Sequence, residues 1–190
     1  MRPLKKYPAL LILCVLGVIL VLGLKTVSAY PQAAQNYYLP IVIERVFLNP
    51  SFEQEKVGWV FHSNQGDDVV TTAEAHTGIR SAGLGNGNKD RVASIVQKVT
   101  VPSDAYAVHY YQKVTSLEEC PSDNVVKVFI NNNIYQHYNI CKDYSSPNWV
   151  ERFIYLAPYK GQRVEFRLQF ESSTSMGNHV YVDDFSFGLP

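Results

Sequence analysis

The sequence predicts an all-β domain, a sandwich or barrel of antiparallel strands, behind an N-terminal export segment. From residue 39 onward, apolar and polar residues alternate with period two, which is typical of half-buried strands. Asn, Gly, Pro and Asp clusters separate these runs at short, regular spacing. The candidate strands are 40–48, 57–62, 68–74, 80–85, 92–100, 105–116, 124–130, 134–140, 149–156, 163–171 and 178–187.

Two candidate strands show which side chains should fill the core. Side chains alternate between the two faces of a strand, so positions of one parity point the same way. The inward set predicted for 163–170 is Val164, Phe166, Leu168 and Phe170, and for 105–116 it is Tyr106, Val108, Tyr110 and Val114. The last strand breaks this rule, because Val180 and Val182 share one parity while Phe185 and Phe187 share the other. We therefore predict a β-bulge at Asp183-Asp184.

The N-terminus has the three parts of a secretory signal peptide. Arg2, Lys5 and Lys6 precede an uncharged apolar run at 9–24, and small residues at 27–29 provide a cleavage site after Ala29. The run is slightly shorter than the roughly 17–25 residues of a membrane helix, but an uncleaved membrane anchor remains the alternative. Residues 30–39 are expected to form a linker, and 40–190 the domain.

Charge excludes some partners of the exported part. Residues 1–29 contain four of the 17 basic residues and none of the 17 acidic ones, so their removal leaves a net charge of −4. Nucleic acid requires a basic surface, and so does electrostatic binding to anionic lipid. We therefore expect no nucleic-acid partner, and membrane contact only through an uncleaved N-terminal segment.

The two cysteines outside the leader are predicted to form a disulfide. Val125–Ile130 and residues 134–140 read as a hairpin around Asn131-Asn132-Asn133, which places Cys120 and Cys141 at its open base. Paired cysteines are typical of exported proteins, although two buried free thiols remain the alternative.

Several motifs, taken in order, resemble extracellular jelly-roll domains of the galactose-binding-like type. Similar domains include the carbohydrate-binding modules of bacterial polysaccharide hydrolases and MAM-type adhesion domains. The motifs are Asn49-Pro50-Ser51-Phe52-Glu53, Gly58-Trp59, HTGIRSAGLGN at 76–86, QKVTVP at 97–102, Trp149 with the run at 155–170, and YVDDFSF at 181–187. The resemblance covers about residues 45–188 and implies a jelly-roll β-sandwich of two antiparallel sheets.

The resemblance also implies a structural calcium ion. In such domains the Glu of the opening motif and an Asp of the closing pair meet where the first and last strands join. The corresponding residues here are Glu53, Asp183 and Asp184. Calcium binds about six to eight oxygens, which carboxylates and loop carbonyls can supply. The alternative is that these acids are solvated or cap loop amides.

We predict that the ligand-binding face comprises His109, Tyr111, Arg167 and Gln169, the outward side chains of strands 105–116 and 163–170. Flat rings and planar polar groups suit the apolar faces and hydroxyls of a sugar. The prediction requires the two strands to be neighbours in one sheet. Tyr135, Tyr138 and Tyr159 are further candidate rings.

The function predicted from the sequence is a non-catalytic, exported binding module for an extracellular glycan. No Gly-x-Ser-x-Gly, His-Glu-x-x-His or phosphate-binding glycine loop occurs. The first alternative is an adhesion domain that binds a surface protein. The second is a small glycan hydrolase, which would need two carboxylates facing each other across a cleft.

Overall fold

The computed structural model describes residues 46–173 and 177–189. These residues form two five-stranded antiparallel sheets packed over one core. The first sheet has the order β1 (Val60–Ser63), β4 (Val92–Thr100), β9 (Arg163–Glu171), β6 (Val125–Ile130) and β7 (Asn133–Asn139). The second has the order β2 (Val70–Thr71), β3 (Ser81–Asn86), β10 (His179–Gly188), β5 (Ala107–Thr115) and β8 (Val150–Tyr155). The predicted all-β sandwich is confirmed.

The predicted signal peptide, the linker and residues 40–45 of the domain lie outside the described residues. Where the structure describes the chain, no helix is both long and apolar enough to cross a membrane.

The strand predictions succeed best in the centres of the sheets. Strands β4 and β9 coincide with the candidates 92–100 and 163–171. Near the N-terminus the predictions are too long: residues 46–48 form no strand, β1 begins only at Val60, and β2 has two residues. Successive turns occupy residues 49–58 and include the first two positions of the candidate 57–62, with Phe52 N–H donating to Asn49 O and Glu55 N–H donating to Phe52 O. These turns bury Phe52 completely.

The core follows the predicted alternation in β9, whose four inward side chains are at most 1 % exposed. In β5, Val108, Tyr110 and Val114 are buried as predicted. The prediction for Tyr106 is wrong, because this residue precedes the strand and is 39 % exposed. Lys160 Nζ lies 3.1 Å from the centre of its ring.

The predicted bulge in β10 is confirmed. Asp183 pairs with Tyr111 and Ser186 pairs with His109, so β10 has one extra residue between these two positions. Asp184 has a φ of 51°, a left-handed conformation that re-aims the chain. As a result Val182 and Phe185 both reach the core, at 0 % and 3 % exposure.

The Cys120–Cys141 disulfide is also confirmed, with the two Cα atoms 5.3 Å apart. Strands β6 and β7 form the predicted hairpin, and Asn131 and Asn132 turn the chain with φ angles of 50° and 65°. Asparagine tolerates this left-handed conformation better than most residues. The disulfide joins the two ends of the segment that contains the hairpin.

Removal of this disulfide is expected to destabilise the domain. The double variant Cys120→Ser/Cys141→Ser should lose about 3 kcal/mol of unfolding free energy, because the unfolded chain regains the entropy of an open loop of about 20 residues. Urea unfolding of the oxidised parent and the double variant measures this difference. Equal midpoints and slopes for the two proteins would contradict the expectation.

Candidate functional site

An open cleft lies between strand β7, at the edge of the first sheet, and strand β8, at the edge of the second. Its volume is about 340 Å³. Edge strands leave backbone groups and side chains unpaired, so the sandwich is accessible along this side. We call this site the tyrosine cleft. Its lining residues are Tyr110, Gln136, Tyr138, Tyr144, Glu151, Arg152, Phe153 and Tyr155.

Aromatic rings dominate the tyrosine cleft. Tyr144, Phe153 and Tyr155 are 46 %, 59 % and 50 % exposed. Phe153 and Tyr155 alternate with Arg152 along β8, and the Phe153 ring lies 6.4 Å from that of His109, so these two rings border the cleft from the outer face of the second sheet. Tyr110 is fully buried behind them, and Tyr138 is partly buried. Close by, the Tyr135 hydroxyl donates to Tyr155 O at 2.6 Å and so connects the two edge strands.

A hydrogen-bond network supports the cleft from within. The hydroxyl oxygens of Tyr110 and Tyr138 are 2.9 Å apart, and the Tyr138 hydroxyl donates to Gln112 Oε1 at 3.1 Å. Arg152 Nε–H donates to the same Gln112 oxygen at 3.2 Å. The guanidinium carbon of Arg152 lies 5.8 Å from the centre of the Tyr138 ring, a cation–π distance. The Gln112 carbonyl therefore positions both side chains.

The two network tyrosines, like an ordinary tyrosine, are neutral near pH 7, and burial raises their pKa values further. Burial raises the pKa of the Tyr110 hydroxyl well above its ordinary value, with a further contribution from Tyr138. Burial also raises the pKa of Tyr138, against the opposing effects of the Tyr110 hydrogen bond and the Arg152 charge. Both hydroxyls remain hydrogen-bonding groups throughout the physiological pH range.

The Nε2 atom of Gln112 is buried and has no hydrogen-bond partner among the described residues. A buried donor without a partner costs about 1–3 kcal/mol.

Only part of this site is predicted by the sequence. Tyr138 is among the candidate rings, whereas alternation assigns Tyr110 to the core alone, and Arg152 is not predicted. One signal was present: Arg152 shares its parity in β8 with Ile154 and Leu156, which are buried. An arginine on the inward face of a strand requires a polar partner, and that requirement points to a site.

The predicted ligand-binding face is wrong as a single surface. His109 and Tyr111 lie on β5 of the second sheet, whereas Arg167 and Gln169 lie on β9 of the first sheet. Strand β5 pairs with β10 and β8, and β9 pairs with β4 and β6. Alternation correctly assigned the faces, but it carries no information about which strands are neighbours.

Each of the four residues also has partners of its own. His109 Nδ1 lies 3.0 Å from Glu151 Oε1, and the Tyr111 ring is covered by His76 with ring centres 3.7 Å apart. The Arg167 guanidinium lies 3.8 Å from the centre of the Phe129 ring, and Gln169 donates to Glu171 Oε1 at 2.7 Å.

The three acids predicted to bind calcium converge on one loop. Glu53 Oε1 accepts hydrogen bonds from the backbone N–H groups of Ile79 and Arg80 at 3.0 and 2.8 Å. Asp183 Oδ2 accepts from the N–H groups of His76 and Thr77 at 2.9 and 3.3 Å. The Asp184 carboxylate contacts His76 Nδ1 at 2.6 Å and the Thr77 hydroxyl at 2.8 Å. We call this arrangement the acidic junction.

Gly78 permits the close approach of Glu53 to this loop. It has a φ of +65°, and a Cβ atom at this position would lie 2.4 Å from Glu53 Cδ. A side chain at position 78 would therefore displace the carboxylate.

Asp183 is the unusual member of the acidic junction. It is fully buried, and burial raises its pKa from 3.8 to about 6, aided by the neighbouring Asp184 charge and opposed by the backbone hydrogen bonds. No described Lys, Arg or His forms an ion pair with it. The residues described contain no group of three or more His, Cys, Asp or Glu side chains arranged for a metal ion.

Comparison with known proteins identifies the fold. No protein-family model and no curated protein matches the chain. A family 61 carbohydrate-binding module solved with β-1,4-galactotriose aligns with a TM-score of 0.56 and 17 % identity, over 75 % of this chain and 97 % of that one. The K3 cleaved adhesin domain of Lys-gingipain from Porphyromonas gingivalis aligns with a TM-score of 0.54 and 12 % identity, over 76 % and 99 %.

The chain shares the carbohydrate-binding-module type of β-sandwich, and the predicted resemblance is confirmed at this level. Identities this low show the fold alone, so the function must be argued from the site.

The raised pKa of Asp183 predicts a pH dependence of stability in metal-free buffer. Below pH 4 both folded and unfolded states hold the Asp183 proton, but between about pH 4 and 6 only the folded state retains it. The contribution of Asp183 to stability should therefore fall as pH rises through this window. Urea unfolding of the parent and Asp183→Asn at several pH values measures the effect, with Asp104→Asn as an exposed control. A constant difference between parent and Asp183→Asn would contradict it.

Proposed function

We propose that this chain is an exported, non-catalytic glycan-binding module whose ligand site is the tyrosine cleft. The observation that carries the proposal is the combination of exposed rings with a fixed set of hydrogen-bond donors in one open cleft. A pyranose offers an apolar face of C–H groups and a rim of hydroxyls. Tyr144, Phe153 and Tyr155 supply exposed rings around the cleft for the apolar face, and Arg152 and Gln136 supply polar groups for the hydroxyls.

The volume and position of the cleft agree with this function. About 340 Å³ lies within the range of small-ligand sites, which is roughly 300–1,000 Å³. The cleft is open along the edges of β7 and β8, so a chain of sugars could extend beyond it. The Cys120–Cys141 disulfide supports an oxidising, extracellular location.

A hydrolase fits the cleft less well. Glycosidases use a pair of facing carboxylates, and Glu151 is the one carboxylate among the described residues that line the tyrosine cleft. Glu151 is also paired with His109.

Protein binding is the second candidate function, and the exposed apolar residues of β8 favour it. Val150, Phe153 and Tyr155 are 38 %, 59 % and 50 % exposed along a free strand edge, where a partner could add a strand. The glycan remains the better candidate, because the cleft also supplies the buried polar network.

We further propose that the acidic junction binds a structural calcium ion. Three carboxylates converge on one loop there, and the buried Asp183 has no cationic partner among the described residues. A hard cation would neutralise this charge, with loop carbonyls completing its oxygen ligands. The ion would fix the junction between β10 and the loop at 76–80.

Truncation of a cleft ring tests the glycan site. Tyr155→Ala is expected to weaken glycan binding about tenfold or more, because the contact of one ring is worth roughly 1.5 kcal/mol or more. The ligand is first identified on a glycan array with the parent, and affinity electrophoresis then compares the variants. Tyr106→Ala, an exposed tyrosine outside the cleft, serves as the control. If the parent and Tyr155→Ala are retained equally, the proposed glycan site is rejected and protein binding becomes the favoured function.

Calcium is expected to raise the melting temperature of the parent. A ligand specific for the folded state adds about 2.7 kcal/mol at a hundredfold excess over its Kd. Glu53→Gln should abolish the difference between melts with calcium and with chelator, whereas Glu119→Gln, an exposed acid outside the junction, should retain it. Superimposable melts of the parent in calcium and in chelator would reject the calcium site.

A further inference from the structure

Arg152 is placed by the fold at the wall of the tyrosine cleft. It lies on the inward face of the edge strand β8, opposite Tyr110 of β5, and is partly buried. Because β8 is the last strand of its sheet among the described residues, the side chain borders the cleft instead of packing under another strand.

No carboxylate among the described residues neutralises the charge of Arg152. None of the described carboxylates forms an ion pair with it, whereas Arg80 pairs with Glu55 and Arg91 pairs with Asp67. Glu151, its neighbour in sequence, is 3.0 Å from His109 Nδ1. A partly buried cation without a counter-ion costs free energy, and an anionic ligand would offset this cost.

The hydrogen bonds of Gln112 orient the two terminal amino groups of the Arg152 guanidinium. Gln112 Oε1 accepts the Nε–H of Arg152 and also the Tyr138 hydroxyl, so the Nε side of the group is occupied. Among the described residues, none accepts a hydrogen bond from the two terminal amino groups of Arg152. Together these groups form a planar fork, which matches two oxygens of a carboxylate or sulfate.

Other groups in the cleft do not compete for this charge. Tyr110 and Tyr138 are neutral hydroxyls with raised pKa values, so neither supplies an anion. Glu151 is the one carboxylate among the described lining residues, and its Oε1 lies 3.0 Å from His109 Nδ1 instead of pairing with Arg152.

We infer that the tyrosine cleft selects an acidic glycan, and that the fork of Arg152 binds an oxyanion on the sugar while the rings bind the sugar face. This inference rests on the proposed glycan site and adds its ligand class. The oxyanion is the carboxylate of a uronic acid or a sulfate ester. Arg152 is the residue that determines specificity, and Gln112 is a positioning residue that acts through it.

The experiment uses matched pairs of oligosaccharides that differ only in charge. Tetramers from polygalacturonate, alginate and hyaluronan are compared with their carboxyl-reduced forms, and carrageenan tetramers with their desulfated forms. Tetramers avoid the gelling of long acidic chains with calcium. Calorimetry on the full exported chain measures each affinity, and a neutral galactan tetramer is included.

The expected result is binding of at least one acidic tetramer, with a loss of tenfold or more on removal of its charge. The carboxylate and sulfate arms distinguish the two sources of oxyanion. The Arg152→Gln variant should bind the acidic tetramer tenfold or more weakly than the parent does. Its affinity for the neutral form of the tetramer should equal that of the parent. Arg152→Lys should recover part of the affinity, because it keeps the charge but not the fork. Arg163→Gln, an exposed cation outside the cleft, should bind as the parent does.

Several outcomes would overturn the inference, and they are distinguishable from failure of the glycan site itself. Equal affinity for acidic and neutral partners, with Tyr155→Ala still reducing both, would keep the glycan site and reject its acidic specificity. An equal loss in Arg163→Gln would show general electrostatic attraction instead of recognition by Arg152. Absence of binding to any tetramer, acidic or neutral, would reject both the specificity and the proposed function. A melting temperature is measured for each variant, so that loss of folding is not mistaken for loss of binding.

Discussion

The bulge at Asp183-Asp184 is the constraint on which much of this structure depends. Strand β10 lies at the centre of the second sheet, between β3 and β5. Without the extra residue, strict alternation would point Val182 and Phe185 to opposite faces of β10, so that Phe185 would face solvent when Val182 faces the core. The bulge brings both inside, where Phe185 contacts Trp59 with ring centres 5.1 Å apart. The same bulge buries Asp183 against the loop at 76–80, where the His76 N–H donates to the Asp183 carboxylate.

The bulge is also connected to the tyrosine cleft through the core. The ring of Phe185 stacks on that of Tyr110, with centres 5.2 Å apart and an interplanar angle of 9°. Tyr110 in turn contacts the Tyr138 hydroxyl, and Gln112 joins Tyr138 to Arg152. The polar groups of the cleft thus rest on a rigid aromatic core, which is the arrangement that preorganised binding sites require.

The site itself arises where the two sheets end. An edge strand is exposed to unwanted pairing with other chains, and natural proteins protect such edges with charges, turns or covering groups. Here β7 and β8 belong to different sheets and border the same opening, and the Tyr135 hydroxyl bonds to Tyr155 O across it. The fold is shared with a carbohydrate-binding module and with an adhesin domain. The shared fold therefore leaves the ligand open, and the proposed ligand is argued from the residues of the cleft.

The sequence by itself determined the faces of the strands, the bulge and the Cys120–Cys141 pair, because each follows from local alternation or from a short hairpin. It did not determine which strands are neighbours, and for that reason His109 and Arg167 were placed on one face although they lie on different sheets. Only the tertiary structure brought Tyr138 of β7 and Arg152 of β8 together. The physical reason is that alternation is a property of one strand, whereas a cleft depends on packing between residues distant in sequence.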